Sequence, residues 1–236
     1  MSAHELHVIF GTGPLGKGAM RELLRLGKSV RMVNRRGMAE GVPAEVEVVK
    51  ADAYDPASVT QVTQDAAAVY QCAQPEYHQW AEKFPALQAA ILKGAAQNGA
   101  KLIVGDNLYM YGDPHGAVIT EDSPLRPITQ KGRIRHQMAQ EILDAHQRGE
   151  IRAAICRASN FFGPEYEVIL DLVFKPAFEG KSANLYGRKD VLHTFTYVPD
   201  FGRALATLGT RDEALGQVWI APSLPAITQA KFVERL

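Results

Sequence analysis

The chain is poor in features that would mark a specialised class. Only two of its 236 residues are cysteine. Cys72 and Cys156 each end an apolar, strand-like run. On the fourth and sixth strands of a parallel sheet they would stand two strand spacings apart, about 9.6 Å, too far for a disulfide. Two cysteines without a nearby histidine cluster also argue against a structural metal site, which leaves both thiols as small buried apolar groups. There is no excess of either charge. Twenty-six Lys and Arg balance 26 Asp and Glu, so a nucleic-acid partner is not expected. No apolar run reaches the roughly 18 residues of a membrane span. The opening Met1-Ser2-Ala3-His4-Glu5 has neither a basic segment nor a long apolar one, so no signal peptide and a cytoplasmic location are expected. What remains is ordinary globular composition, 46% hydrophobic and 22% charged. The length suits one domain with a substantial core, or one domain plus a small lobe.

Against that background one stretch stands out. Leu6-His7-Val8-Ile9-Phe10 is apolar and of strand length; Gly11-Thr12-Gly13-Pro14-Leu15-Gly16 follows, and Leu15, Ala19, Leu23 and Leu26 then recur at helical spacing. Strand, glycine turn and helix in this order are the context of a dinucleotide fingerprint. Gly11 permits the tight turn, Gly13 lets backbone approach a pyrophosphate, and Gly16 lets the helix pack on the strand. Pro14 falls near the first helical position, where its missing N–H costs nothing. The free N–H groups of that turn would then face phosphate oxygens. The same residues nearly spell an ATP-binding loop, Gly11-x-x-x-x-Gly16-Lys17. That motif needs Ser or Thr next, and the chain has Gly18. A purely structural turn is the third reading.

The following strand, Ser29 to Asn34, ends in Asn34-Arg35-Arg36. An NAD site would place Asp or Glu there for the ribose hydroxyls, whereas arginines suit a 2′-phosphate. The charge favours NADP(H), with NAD(H) as the alternative and a solvated turn as the bland reading. Further along, Glu45–Lys50 reads as a third strand ending at Asp52, which could reach an adenine amino group. Asp55-Pro56 reads as a helix start. Ala66–Gln71 is a fourth strand, leading into Cys72-Ala73-Gln74-Pro75. A helix covers about 80–97, a fifth strand Lys101–Gly105, a second long helix about 130–148, and a sixth strand Ile151–Cys156. Strands alternating with helices predict an α/β fold: a Rossmann-type doubly wound parallel sheet. The expected division is a dinucleotide-binding domain over 1–160 and a small substrate lobe over 161–236. In the lobe, Val168–Phe178 reads as helical and Ala183–Tyr186 and Thr194–Val198 as short strands. Asp200–Leu208 reads as a helix, Val218–Ile220 as a last strand, and the chain stops in a new helical pattern.

These landmarks together resemble the extended or atypical short-chain dehydrogenase/reductase superfamily, in its NAD-dependent epimerase/dehydratase group. Gly13-x-x-Gly16 matches the nucleotide loop, although the usual earlier glycine is Phe10. Asp52-Ala53 matches the adenine-contacting segment. Cys72-Ala73-Gln74-Pro75 matches the segment beside the nicotinamide ribose. Met110-Tyr111-Gly112 matches Val-Tyr-Gly, and Glu121-Asp122-Ser123-Pro124 with Pro127 matches the loop before the active-site helix. Arg157–Pro164 matches Arg-Pro-x-Asn-x-x-Gly-Pro, which places Ala158 and Asn160 near the cofactor. Tyr197-Val198-Pro199-Asp200 matches a later Val-x-Asp.

Departures from that pattern fall on the chemistry. Asn107 occupies the place of the catalytic Ser or Thr. The Tyr-x-x-x-Lys pair falls on Lys131-x-x-x-Arg135, and His193 replaces the arginine that holds a nucleotide-sugar diphosphate. One expectation is therefore an NADP(H)-dependent oxidoreductase of altered machinery acting on a small carbonyl or alcohol. Asn107 would donate to the substrate oxygen, Arg135 would hold the ribose, and Lys131 or Tyr109 would be the acid. The other is a non-catalytic NADP(H)-sensing protein. Tyr77, His78, Trp80, Tyr166 and His193 are expected on the substrate side. The resemblance also implies a homodimer through helices 80–97 and 130–148, which apolar Ala86, Ala90 and Ala139 permit.

Overall fold

A computed structural model describes residues 5–185 and 188–235. Its strands are β1 (Leu6–Phe10), β2 (Ser29–Asn34), β3 (Glu47–Lys50), β4 (Ala66–Gln71), β5 (Lys101–Asp106), β6 (Arg152–Arg157), β7 (Asn160–Phe162), β8 (Leu192–His193), β9 (Phe195–Tyr197), β10 (Val218–Ile220) and β11 (Ile227–Thr228). Its α-helices are α1 (Pro14–Arg25), α2 (Pro56–Val62), α3 (Trp80–Gln97), α4 (Gln130–Gln147), α5 (Glu167–Ile169), α6 (Lys175–Phe178), α7 (Val198–Thr210) and α8 (Gln229–Glu234).

Seven strands form one sheet in the order β10-β6-β5-β4-β1-β2-β3, and every pairing in it is parallel. Both faces are covered, so its strands are apolar on alternate residues of both phases. Val8 and Phe10 face one core with Val69, Leu102 and Val104, under α2, α3 and α4. Ile9 faces the opposite core with Tyr70, Ile103 and Cys156, under α1 and α7. The fold is the doubly wound α/β architecture the sequence predicts. The two cysteines sit at β4's end and on β6, with β5 between them, and both are free. Burial pushes the Cys72 thiol up to about 12, so neither its surroundings nor its acidity suit a reactive thiolate.

Helices α1 and α7 cross where glycine meets glycine. A Cβ on Gly202 would overlap the Gly18 backbone, and one on Gly18 would lie 3.2 Å from the Val198 carbonyl oxygen. Gly18 is thus buried against α7. The position where an ATP-binding loop needs a hydroxyl has a packing role that requires its absence.

Residues 161–236 do not all stand apart from the sheet. α7 packs on α1 and β10 extends the sheet beside β6. Two small pairs lie outside it: β7 with β9, parallel, and β8 with β11, antiparallel. The helical stretch expected over Val168–Phe178 is broken into α5, a π-turn over Leu170–Phe174, and α6. Pro176 explains part of this. It has no N–H to return to the Leu172 carbonyl, which instead accepts the Asn184 N–H at 2.8 Å. Ala183–Leu185 is not a strand, and Tyr186, the last residue of that expected strand, lies outside the described residues, as do the first four residues of the chain. Among the described residues, no helix is long and apolar enough to cross a membrane.

Candidate functional site

The sheet order reverses between β1 and β4, and open α/β sheets bind ligands beyond their carboxyl edge at that reversal. β1 leaves this edge at Gly11, whose φ of +109° favours glycine. A Cβ there would lie 2.8 Å from the Ala73 nitrogen, so Cys72-Ala73 closes directly over the turn. A Cβ on Gly16 would overlap the Gly11 carbonyl oxygen, so α1 can start hard against the strand. Gly13 is different: nothing lies within 4 Å of its Cβ position. It caps α1 without a side-chain partner, and Pro14 takes the first turn. The 12-residue helix therefore presents uncapped N–H groups to an open gap, an anion seat by geometry and dipole together. Leu15 turns away and packs on the core between sheet and α1.

Asn34, at the end of β2, is fully engaged by protein. Its Nδ2 donates to Thr12 Oγ1 and to the Met38 carbonyl, each at 2.9 Å. Its Oδ1 accepts the N–H groups of Arg36 and Gly37, each at 2.8 Å. The residue expected to touch the cofactor instead shapes the arginine turn and ties it to the glycine loop. Beyond it opens a cavity of about 380 Å³ lined by Arg35, Lys50, Ala51, Asp52 and Ser58. Asp52 Oδ1 accepts the Tyr54 N–H at 3.0 Å. Neighbouring Ala53 packs against the core. Lys50 and Ser58 belong to no sequence motif; their signal is spacing, one at the end of β3 and one in the first turn of α2.

At the other end of the reversal, β4 runs into Cys72–Pro75. Gln74 is exposed, and the Pro75 carbonyl accepts Trp80 Nε1 at 3.3 Å. Trp80 is buried and packs edge-on to Phe84 and Tyr77, with the Tyr109 ring 6.0 Å from its own, so this indole backs the two phenols. His78 is exposed and 3.5 Å from Glu76. Three side chains that the sequence placed separately meet here. Tyr77 Oη lies 3.5 Å from Tyr109 Oη, and Lys131 Nζ sits 4.1 Å from the Tyr77 ring centroid. Burial first, and then the contact with Tyr77, push the Tyr109 phenol well above its ordinary value of 10.0. Asn107 Oδ1 accepts the Tyr109 N–H at 3.0 Å, which fixes the short turn that carries the phenol. Tyr166 packs against Phe161 and burial raises it too. His193 is remote in character: it belongs to the β8–β11 pair, with Nε2 3.4 Å from Gln229 Nε2.

Arg135 is not open to a ligand. Its Nε and Nη2 donate to Asp106 Oδ1 at 2.8 and 2.6 Å, and Nη2 also reaches the Gly105 carbonyl. Arg157 Nε donates to the other oxygen of Asp106 at 3.2 Å, and its Nη1 to Tyr111 Oη at 2.9 Å. Both guanidinium groups and the carboxylate are buried. Where the resemblance implies a ribose-holding lysine, the chain has one arm of an Arg–Asp–Arg cluster joining β5, β6 and α4. Asp106 belongs to no motif of the sequence; its one signal there is a carboxylate closing an otherwise apolar strand. Ala158 is buried, with its N–H on the Asp106 carbonyl at 3.1 Å, and Asn160 is exposed at the start of β7. Of the alanines expected at a dimer face, Ala90 and Ala139 lie in the chain's own core and Ala86 is exposed. Among the described residues, no group of three or more His, Cys, Asp or Glu could hold a metal ion.

This geometry has clear relatives. No curated protein matches the chain significantly. Among solved structures it is similar to a dTDP-glucose 4,6-dehydratase from Bacillus anthracis in complex with NAD, with a TM-score of 0.84 and 17% identity over 98% of this chain and 79% of that one. It is also similar to a UDP-glucose 4-epimerase from Thermus thermophilus in complex with NAD, with a TM-score of 0.82 and 18% identity over 97% and 81%. A third is a UDP-N-acetylglucosamine 4-epimerase from Methanobrevibacter ruminantium, with a TM-score of 0.83 and 17% identity over 98% and 80%. At such identities the likeness is one of fold. The family match goes further, covering residues 8–220. The chain belongs to the NAD dependent epimerase/dehydratase family.

Proposed function

We propose that this protein is an NADP(H)-dependent oxidoreductase acting on a small carbonyl or alcohol substrate, with Tyr109 as its proton donor. The observation that carries the reading is the meeting of Tyr109, Tyr77 and Lys131 beyond the carboxyl ends of β4 and β5. The cradle fits a dinucleotide: the Cβ position of Gly13 is open, the start of α1 is uncapped, and both neighbouring glycines are forced by close backbone contact. Gly11, Gly13 and the first turn of α1 would hold the pyrophosphate, and Arg35 would face the 2′-phosphate. Binding of NAD by the dehydratase and the Thermus epimerase supports a nicotinamide cofactor of one kind or the other. Bound there, the nicotinamide supplies or accepts hydride.

The chain's own residues would handle the proton. A phenol held above its ordinary value stays protonated at neutral pH and gives up its proton only as negative charge develops on a substrate oxygen. Tyr77, 3.5 Å away, helps to keep the Tyr109 hydroxyl protonated until that charge develops. The Lys131 ammonium, over the Tyr77 ring, would set a positive field beside the substrate oxygen. The Nδ2 of Asn107 would supply a second donor to the substrate oxygen. Arg135 has no part in this, being committed to Asp106. NADPH consumption across a panel of aldehydes, ketones and quinones tests the reading. Turnover by the wild type that Tyr109→Phe removes supports it; full turnover by that variant contradicts it, and tight NADPH binding with no turnover on any carbonyl favours a sensing protein.

A further inference from the structure

Two arginines follow β2, yet Arg35 lines the adjoining cavity and Arg36 does not. The wall opposite contains a second cation, Lys50, which closes β3 in register with Asn34. The arginine turn is folded down onto that lysine. Gly37 has φ +72°, and a Cβ there would lie 2.9 Å from Lys50 Cβ. Asn34 holds the turn in this shape through the N–H groups of Arg36 and Gly37. Ser58 adds a hydroxyl: its Oγ accepts the Asp52 N–H at 3.3 Å, which leaves its own O–H to donate. One carboxylate, Asp52, shares the cavity, and its Oδ1 is taken up by the Tyr54 N–H. Among the described residues, neither Arg35 nor Lys50 is in an ion pair. Two unpaired cations and a donor hydroxyl, against one carboxylate, make this a pocket for a small anion of high charge.

We infer that Lys50 and Ser58 complete, with Arg35, a subsite for the phosphate monoester that distinguishes NADP(H) from NAD(H), and that Lys50 determines this specificity while Arg36 does not. The inference rests on the cofactor reading above. Three ligand contacts come from three separate elements, the β2 turn, the end of β3 and the first turn of α2. The subsite exists because the Asn34-anchored turn brings the first against the second. Lys50 is exposed, so replacing it leaves the core untouched.

Calorimetric titration of the full chain with NADPH and NADH, and with 2′,5′-ADP and ADP as cofactor fragments, provides the test. Lys50→Gln weakens NADPH and 2′,5′-ADP about tenfold, changes NADH and ADP by less than about twofold, and Lys50→Arg restores the difference. Ser58→Ala acts in the same direction, more weakly, and Arg36→Gln leaves the preference in place. A wild type that prefers NADPH and a Lys50→Gln variant that keeps the full preference would overturn the inference alone. A wild type that binds the two cofactors equally would overturn the cofactor reading itself.

Discussion

His7 and Asp106 are two buried polar residues with opposite bookkeeping. His7 lies on β1 with Nδ1 2.8 Å from Tyr70 Oη, and its Nε2 has no hydrogen bond, Glu5 Oε2 standing 3.8 Å away. Burial first, then the Lys28 charge, hold it at about 4, below its ordinary 6.5. The unfolded chain therefore binds the extra proton more readily. His7 contributes stability in full above about pH 6.5, and loses it as pH falls toward about 4, for a total of about 3 kcal/mol. Urea midpoints at about pH 7.5 and about pH 4.5 should differ less in His7→Gln than in the wild type. Asp106 is the reverse case, a buried carboxylate satisfied on both oxygens. Asp106→Ala leaves two guanidinium groups buried without their counter-ion and should cost about 3–5 kcal/mol in denaturant melts. Lys131→Ala, which breaks no buried pair, should stay within about 0.5 kcal/mol while lowering turnover. For Tyr109, the raised phenol predicts that carbonyl reduction keeps its rate through mildly alkaline pH, whereas alcohol oxidation, which needs the phenolate, rises with pH. A rate profile without that contrast would count against Tyr109. The residue scale is also where the sequence was least legible. Lys131 and Arg135 are spaced four apart as a catalytic pair would be, and spacing alone cannot tell a ribose-binding cation from half of a buried ion pair. Tyr77 and Tyr109 are 32 positions apart, and only the crossing from β4 to β5 brings their hydroxyls together.

Among the elements, the glycine turn divides into positions closed by protein contact, Gly11 and Gly16, and one left open, Gly13. Gly16→Ala drives a methyl into the Gly11 carbonyl and should lower both the melting temperature and cofactor affinity. Gly13→Ala meets nothing in the protein, so it should weaken NADPH binding with the melting temperature almost unchanged. Equal losses of stability in the two variants would contradict that division. Gly202→Ala would wedge α7 off α1 and should cost about 1–3 kcal/mol, with no direct effect on the nucleotide gap. Elements such as β2 and β4 were legible to the residue, because short apolar runs of strand length bounded by glycine or polar turns leave little choice. β7, three residues long, was not foreseen: its pairing with β9 depends on a partner 35 positions away. The break in the helical pattern over Val168–Phe178 was visible only as Pro176.

For the molecule as a whole, topology followed from the alternation of strands and helices, and the carboxyl edge at the β1–β4 reversal is where that topology puts a ligand. The lobe was harder to divide from the sheet, because α7, late in the chain, packs on the first helix α1, and β10 adds the edge strand beside β6. Glu165 shows the same coupling at the surface: its carboxylate bridges Lys17 and Arg21 of α1 to the loop that carries Tyr166. On the proposed function a single dinucleotide would unite the two ends of the site, reaching from the cation pocket at Arg35 to the phenols at Tyr77 and Tyr109. Titration of the wild-type chain with NADPH and with NADH under one buffer is the most direct measurement of that account. It predicts one NADPH per chain, bound at least about tenfold more tightly than NADH. Equal affinity for both, or no binding of either, would contradict it.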